Sequence, residues 1–393
     1  MAEDSFRDIR ESVRRLCARF PGPYWRALDR DRAYPEEFVR ALTDEGFLGV
    51  LIPEAFGGAG LGLGAATAIL EEIHRSGANG AAAHAQLYTM GTLLRHGSDD
   101  QKQRWLPQLA SGALRLQAFA ITESESGTDT TRIRTVARRE GDAYVVSGRK
   151  IWISRAAHSD LMLLLVRTHA REESANPADG MSVLLVDLRE AVGRGLTIRP
   201  IRTMINHAST ELFFDDLKVP AENLVGLEGQ GFRCILDGMN AERILIAAEC
   251  IGDGRFFVDR ASAYAKDRAV FGRPIGANQG VQFPIARAHV QVEAAAGMVG
   301  KAAALFDAGA PCGAEANMAK LLASEASWSA ADMCMQTHGG LGFAEEMDIE
   351  RKFRETRLYQ VAPISEPHPF ACGDSCARTS QIVLRVGRER QSV

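Results

Sequence analysis

Apolar residues recur at Phe6, Ile9, Val13, Leu16 and Phe20, three or four apart with charges of both signs between them, which predicts an amphipathic helix at the start of the chain. The same period runs through PEEFVRALTDEGFLGV, AATAILEEIHRSG, AHAQLYTMGTLLRHG and SDDQKQRWLPQLASG, each with glycine at or near its end, so the first 115 or so residues read as helices. Then the period changes. From 116 to about 220 come short runs that alternate or are wholly apolar: LQAFAIT, YVVSG, KIWIS, DLMLLLVRT, MSVLLVDL, LTIRPIR and ELFFDDLKV. Turn chemistry such as EGDA separates them, which predicts strands. After VPAENLVG the helical period returns and holds to about 360.

Helices, then strands, then helices is a segregated order, unlike the alternation that builds a doubly wound sheet. That order decides one ambiguous stretch, FGGAGLGLGAATAILEEI at 56–73. Gly60, Gly62 and Ala65 give the alanine form of a dinucleotide loop, but no convincing βαβ strand precedes them, and the stretch reads as a turn and the start of a helix.

With 46% hydrophobic and 24% charged residues, the 393-residue chain has the composition of a globular protein of two or three domains. Lys and Arg number 46 against 50 Asp and Glu, a net charge of -4 that leaves no electrostatic footprint for nucleic acid. The longest apolar runs, such as LMLLLV at 161–166, have strand dimensions, so no membrane span is expected. The N-terminal helix fits neither a signal peptide nor an acid-poor transit sequence, and a cytoplasmic location is expected. Seven cysteines without a CxxC pair point to reduced thiols, and nine histidines never cluster at metal-ligand spacing, so no metal is expected.

Four stretches combine residue types that a plain core would not want. AFAITESESGTD, 118–129, runs from a strand into a loop bearing Thr122, Ser126, Gly127 and Thr128, which suits either a ligand's close approach or a solvated turn. RKIWIS places Trp152 and Ser154 on one face of a strand, where a tryptophan packed in a β core is the commoner explanation. CMQTHGGLGF, 334–343, ends a helix in paired glycines after Gln336; these serve as caps, or let backbone lie against phosphate or ribose. GMNAERILIAAE, 238–249, sets Glu242 beside Arg243 in an otherwise apolar helix, where a salt-bridged helix surface is the ordinary reading. Adjacent residues are about 100° apart around a helix, so the two need not neutralise one another, whereas Glu249, seven residues on, shares Glu242's face and competes with it.

In this order the motifs resemble the acyl-CoA dehydrogenases, flavoproteins of fatty-acid and amino-acid breakdown, over residues 1 to about 365. AITESESGTD matches the family's TEPxxGSD and RKIWIS its K-x-W-I-T/S; FDDLKVPAENLVG, RAVFGRPIGANQ and QTHGGLGF follow. The resemblance implies an α+β, mainly α fold: an N-terminal helical domain over 1–115, a middle β-barrel or sandwich domain over 116–222, and a C-terminal four-helix bundle over 223–365, with an atypical tail over 366–393. It implies FAD as cofactor. Phe119, Ile121, Thr122, Thr128, Trp152 and Ser154 would surround the flavin ring and its adjoining ribityl or pyrophosphate groups. Arg268, Phe271 and Gln279 would reach the FAD of a partner subunit, and Gln336, Gly339 and Gly340 would approach its adenosine diphosphate part.

The implied reaction converts an acyl-CoA thioester to a trans-2-enoyl-CoA: a carboxylate removes the proton next to the thioester carbonyl while hydride leaves the following carbon for the flavin. Implied partners are an electron-transferring flavoprotein as acceptor and further copies of the chain in a homodimer or homotetramer. An oxidase-like enzyme on the same fold and a non-catalytic flavin or acyl-CoA binding subunit stay open as alternatives. In most of the family the base lies in a Y-E-G-T motif, but matching IERKFRETRLYQV to it puts Ala362 and Pro363 where Tyr and Glu are expected. A branch that includes isovaleryl-CoA and long-chain dehydrogenases carries its Glu on an earlier helix, immediately before an arginine. MNAERIL resembles that motif, which assigns the base to Glu242 and to Arg243 a neighbouring place that helps hold the CoA end or the local helix.

This base position points to branched or longer acyl groups. Pro363 also lacks the N–H that the family aims at the thioester oxygen, so either Ile364 supplies it or the flavin ribityl hydroxyl does more. The tail loses helical periodicity altogether. Codons able to encode Glu366 to Leu384, read one base later, spell Asn-Leu-Ile-Leu-Ser, then Leu-Gly-Leu-Pro-Arg-Ser-Phe and a stop, which resembles a family ending; a reading-frame shift near residue 365 is the expectation.

Overall fold

The computed structural model describes residues 6–171 and 176–363. The tail, the frame shift and Ile364 lie outside the described residues. The chain divides into two compact units, Arg15–Ala66 with Asn79–Met239, and Met1–Arg14 with Thr67–Ala78 and Asn240–Val393.

Six helices come first: α1 (Arg7–Ala18), α2 (Gly22–Asp31), α3 (Glu36–Asp44), α4 (Leu63–Arg75), α5 (Ala81–His96) and α6 (Asp99–Ala110). The amphipathic pattern of α1 buries Val13 and Leu16. The glycine-rich stretch is the turn and helix start that the element order implied: among the described residues no strand precedes it, and α4 begins at Leu63. Gly58 there lies so close to the backbone of Ile52 that a Cβ would fall 2.1 Å from its carbonyl oxygen. A reciprocal cap starts α6, with Ser98 Oγ accepting from the Gln101 N–H and the Gln101 side chain accepting from the Ser98 N–H, both at 3.1 Å. Gln101 Nε2 also donates to the carbonyls of Glu222 and Leu224, tying α6 to the end of the β segment.

The strands are β1 (Leu116–Ala120), β2 (Val136–Glu140), β3 (Ala143–Ser154), β4 (Leu161–Arg167), β5 (Met181–Asp187), β6 (Leu196–Pro200), β7 (Ser209–Pro220) and β8 (Leu224–Val225), with a short helix α7 (Leu188–Ala191) after β5. They form one eight-stranded sheet in the order β6-β7-β3-β2-β4-β5-β8, with β1 pairing in parallel to β4. The wholly apolar run read at 161–166 is β4. It pairs with β1, β2 and β5 and is buried at all its positions, which is why it shows no alternation. YVVSG and KIWIS, read as separate runs, are two halves of the single strand β3.

Helices return with α8 (Gly231–Asp267), then a hairpin of β9 (Ala269–Val270) and β10 (Arg273–Pro274), then α9 (Gln279–Asp307), α10 (Gly313–His338) and α11 (Ile349–Arg357). Small residues at helical spacing set the packing: Ala288, Val292, Ala295 and Val299 of α9 are buried, as are Ala316, Ala319, Ala323 and Ala330 of α10. A Cβ on Gly254 of α8 would fall 2.6 Å from Val292, so α8 and α9 touch closely. A mainly helical chain with a sheet segment between helical segments is the fold class expected. The five described cysteines are buried thiols outside any disulfide. Among the described residues no helix is long and apolar enough to cross a membrane, and no group of three or more His, Cys, Asp or Glu could hold a metal.

Candidate active site

In the sheet unit, β1 leads straight into the polar loop. Phe119 is buried, Ile121 and Thr122 are half-buried, and Thr128 is exposed. Glu123 and Ser126 exchange backbone hydrogen bonds across a tight turn, and Ser126 Oγ donates to the Asp129 carbonyl at 2.7 Å, so the loop is internally braced. The Ile151 N–H donates to the Thr122 carbonyl at 2.9 Å, which sets this loop beside β3.

There β3 is irregular. Lys150 faces Leu212 and Ile153 faces Thr210, so three steps on β3 oppose two on β7, a β-bulge. The core explanation for the tryptophan does not hold: Trp152 is 56% exposed, while Ile153 beside it is buried. Trp152 also has φ 63°, in the left-handed region, which costs a non-glycine residue on the order of 1–3 kcal/mol and persists where function holds it. An exposed indole on a strained bulge, in a strand whose Ile151 bonds the Thr122 backbone, offers a flat apolar surface. That chemistry fits a flavin ring.

Two residues inside the quoted motifs were not singled out. Lys150 is wholly buried and donates to the Ile121 carbonyl at 2.8 Å and to Glu123 Oε1 at 2.9 Å. A lysine between apolar positions of a strand, with a glutamate in the preceding motif, was the available signal.

The helical unit collects the other predicted positions. The hairpin after α8 turns through Phe271 and Gly272, with φ of 53° and 78°, the two-residue turn that matches strand twist and normally selects glycine or asparagine. It leaves Phe271 fully exposed at its tip, with Arg268 and Gln279 exposed on either side. The Tyr264 ring stacks on His338 at 4.2 Å, and the Arg268 N–H donates to the Tyr264 carbonyl, so the start of the hairpin adjoins the end of α10. There Gln336, Gly339 and Gly340 are exposed. A guanidinium and exposed glycine backbone are groups whose chemistry suits phosphate oxygens.

The two candidate carboxylates on α8 have separate surroundings. Glu242 is half-buried. Arg243 next to it is buried, its Nη1 donates to Asn240 Oδ1 at 3.1 Å, and burial pulls its guanidinium down against the attraction of Glu242. Glu249 is 2% exposed and belongs to an ionic cluster. His74 Nε2 lies 3.7 Å from Glu249 Oε1, His74 Nδ1 lies 2.9 Å from Asp253 Oδ1, and Lys352 Nζ lies 2.6 Å from the same oxygen and 3.0 Å from Glu355 Oε2. Tyr359 is buried beside them, and burial with the charges of Glu249 and Asp253 raises its phenol well above its ordinary range, keeping it neutral.

Three family models together span nearly the whole chain. The acyl-CoA dehydrogenase N-terminal domain matches residues 3–113, the middle domain 118–217 and the C-terminal domain 229–362. Acyl-CoA dehydrogenase FadE12 of Mycobacterium tuberculosis is 36% identical over 374 residues, covering 93% of this chain and 95% of that protein. The structure of butyryl-CoA dehydrogenase from Megasphaera elsdenii superposes with a TM-score of 0.86 at 26% identity, over 93% of this chain and 96% of that one. A chain in the structure described as the electron transferring flavoprotein of Acidaminococcus fermentans gives 0.87 at 28% identity, over 93% and 95%. The chain belongs to the acyl-CoA dehydrogenase family, FAD-dependent oxidoreductases that act on the CH–CH bond of an acyl-CoA.

Proposed function

We propose that Glu242 is the base of this dehydrogenase. The observation that carries the reading is the division between the two α8 carboxylates. Glu249 is committed to a buried ionic cluster, while Glu242 is half-buried and adjoins a buried arginine. Glu242 takes the proton from the carbon next to the thioester carbonyl. Arg243 holds the local helix or the CoA end. Trp152, Thr122, Ser154, Ile121, Phe119 and Thr128 hold the flavin, which supplies the hydride acceptor when bound.

Arg268, Phe271 and Gln279 reach the FAD of a second copy, and Gln336, Gly339 and Gly340 approach its diphosphate end. A second copy is supported by the fully exposed Phe271 and by an apolar stripe along α9, where Phe283 and Val290 are more than half exposed at helical spacing. The electron acceptor is an electron-transferring flavoprotein, and the substrate is a branched or longer acyl-CoA.

Purified protein titrated with a panel of acyl-CoAs, with flavin absorbance as readout, tests the assignment. Bleaching by one acyl class, reoxidised by an electron-transferring flavoprotein, is the expected result. Oxygen consumption without an added acceptor would identify an oxidase. Bound FAD that no acyl-CoA bleaches would identify a non-catalytic subunit, the reading that the missing Pro363 N–H favours.

A further inference from the structure

The β1 loop and the β3 bulge bring Thr122 and Trp152 together, and one buried side chain holds both segments. Lys150 Nζ donates to the carbonyl of Ile121 at 2.8 Å and to Glu123 Oε1 at 2.9 Å, so Thr122 is bracketed by the two acceptors of a single ammonium. Thr122's own carbonyl accepts from Ile151, the residue between Lys150 and Trp152. Glu123 in turn accepts from the Arg134 N–H at 2.7 Å and the Thr135 N–H at 3.0 Å, and the Thr135 hydroxyl donates to the Arg149 carbonyl at 3.3 Å. One ion pair therefore ties three stretches of chain: 121–123, 134–135 and 149–151.

Neighbouring charges are engaged elsewhere. Arg134 pairs with Glu125 at 2.8 Å and Arg149 with Glu211 at 2.9 Å, both at the surface, which leaves Lys150 and Glu123 as an isolated pair inside the sheet unit. A buried pair of this kind adds little net stability over well-packed apolar residues of the same size, because desolvating both charges offsets their attraction. What it does add is geometry. Each donor and acceptor has a fixed direction, and an apolar pair would let the loop and the bulge slide past one another.

We propose that Lys150 and Glu123 form a positioning pair that sets the spacing between the Thr122 loop and the Trp152 bulge, and with it the shape of the flavin seat. This rests on the reading that these two segments hold the flavin. Neither residue touches the reacting atoms.

The test uses holoprotein of Lys150→Met, Glu123→Gln and, as a control for the seat itself, Trp152→Ala. Each is followed by flavin absorption spectrum, rate of FAD release on dilution and thermal melting. The expected result is at least about a tenfold faster FAD release and a displaced flavin band in both Lys150→Met and Glu123→Gln, the size set by losing a charge-assisted hydrogen bond. Lys150→Arg, which keeps the charge, should recover part of the loss. Lower melting temperatures with a wild-type spectrum and wild-type FAD release would make the pair merely structural and overturn the proposal. If Lys150→Met does not fold, Glu123→Gln decides by the same criterion. An unchanged spectrum and release rate in Trp152→Ala would overturn the flavin seat, and the positioning role with it; a changed Trp152→Ala beside unchanged pair variants would overturn the positioning role alone.

Discussion

Lys352 Nζ lies 2.6 Å from Asp253 Oδ1 with both side chains wholly buried, which locks α11 to α8 through a single ion pair. His74 of α4 shares the same oxygen, and Arg351 beside Lys352 donates to Glu355 at 2.9 Å and to the Gly77 carbonyl at 2.7 Å. Three helices far apart in sequence thus meet at one cluster. Removing one partner strands the others in a low-dielectric interior, so Lys352→Met is expected to lower unfolding stability by about 3–5 kcal/mol. Urea denaturation measures it. A double change, Lys352→Met with Asp253→Leu, should recover much of the loss, because it removes the stranded charge as well.

The two fully buried lysines respond to pH in opposite senses. Burial works against the Lys352 ammonium, but Asp253 and Glu355 outweigh it and hold the group above its ordinary 10.5. Its contribution is fully present below pH 10.5 and is lost as pH rises through the higher folded value. Burial dominates at Lys150 and pulls it down to about 8 against the attraction of Glu123. Between about pH 8 and 10.5 the unfolded chain then binds more protons than the folded one, so this group makes stability rise with pH. Unfolding free energy followed from pH 7 to 11 should lose its rising component in Lys150→Met, whereas Lys352→Met should remove the loss above 10.5.

Trp152→Ala separates function from folding. The side chain is more than half exposed, and alanine in the same left-handed backbone removes little packing, so stability should stay within about 0.5 kcal/mol of wild type. FAD retention should nevertheless fall clearly. Flavin content after gel filtration, set beside the unfolding midpoint, checks both halves; a matching loss of stability would return Trp152 to a structural role.

That same residue marks where the sequence stops being readable. The helical periods of α1 and the apolar run of β4 follow from which face is buried, so their existence shows in the spacing of residues such as Val13 and Leu16. A bulge is one extra residue, and no alternation pattern reveals it, so strand spacing alone favours a core place for Trp152, and only the motif resemblance points it toward the flavin. The ionic cluster was hidden for a different reason. His74 lies 179 residues from Asp253 and 278 from Lys352, and only tertiary packing brings them together. Glu249 looked equivalent to Glu242 on a helical wheel for that reason.

Phe271 gives a test of self-association. An exposed aromatic ring at a hairpin tip, held at φ 53° where glycine or asparagine would be at ease, gains nothing for the lone chain. Phe271→Glu should leave far-UV circular dichroism unchanged, shift the species seen by light scattering toward smaller assemblies, and lower FAD content. Loss of FAD with unchanged size would place the ring against cofactor alone. Wild-type behaviour in both would remove Phe271 from the interface.

Glu242→Gln is the decisive change for the chemistry. Glutamine keeps the size and hydrogen-bonding reach of glutamate, so the helix and the flavin seat should be undisturbed. It cannot accept the substrate proton. General bases contribute about 10²–10⁴ in rate, and flavin bleaching by an acyl-CoA should slow by that factor while FAD content and substrate binding hold. Glu249→Gln should behave in the opposite way: it removes a charge from the cluster of His74, Asp253 and Lys352 and changes stability, with bleaching per bound flavin retained. If instead Glu249→Gln stops bleaching and Glu242→Gln does not, the base belongs two turns further along α8.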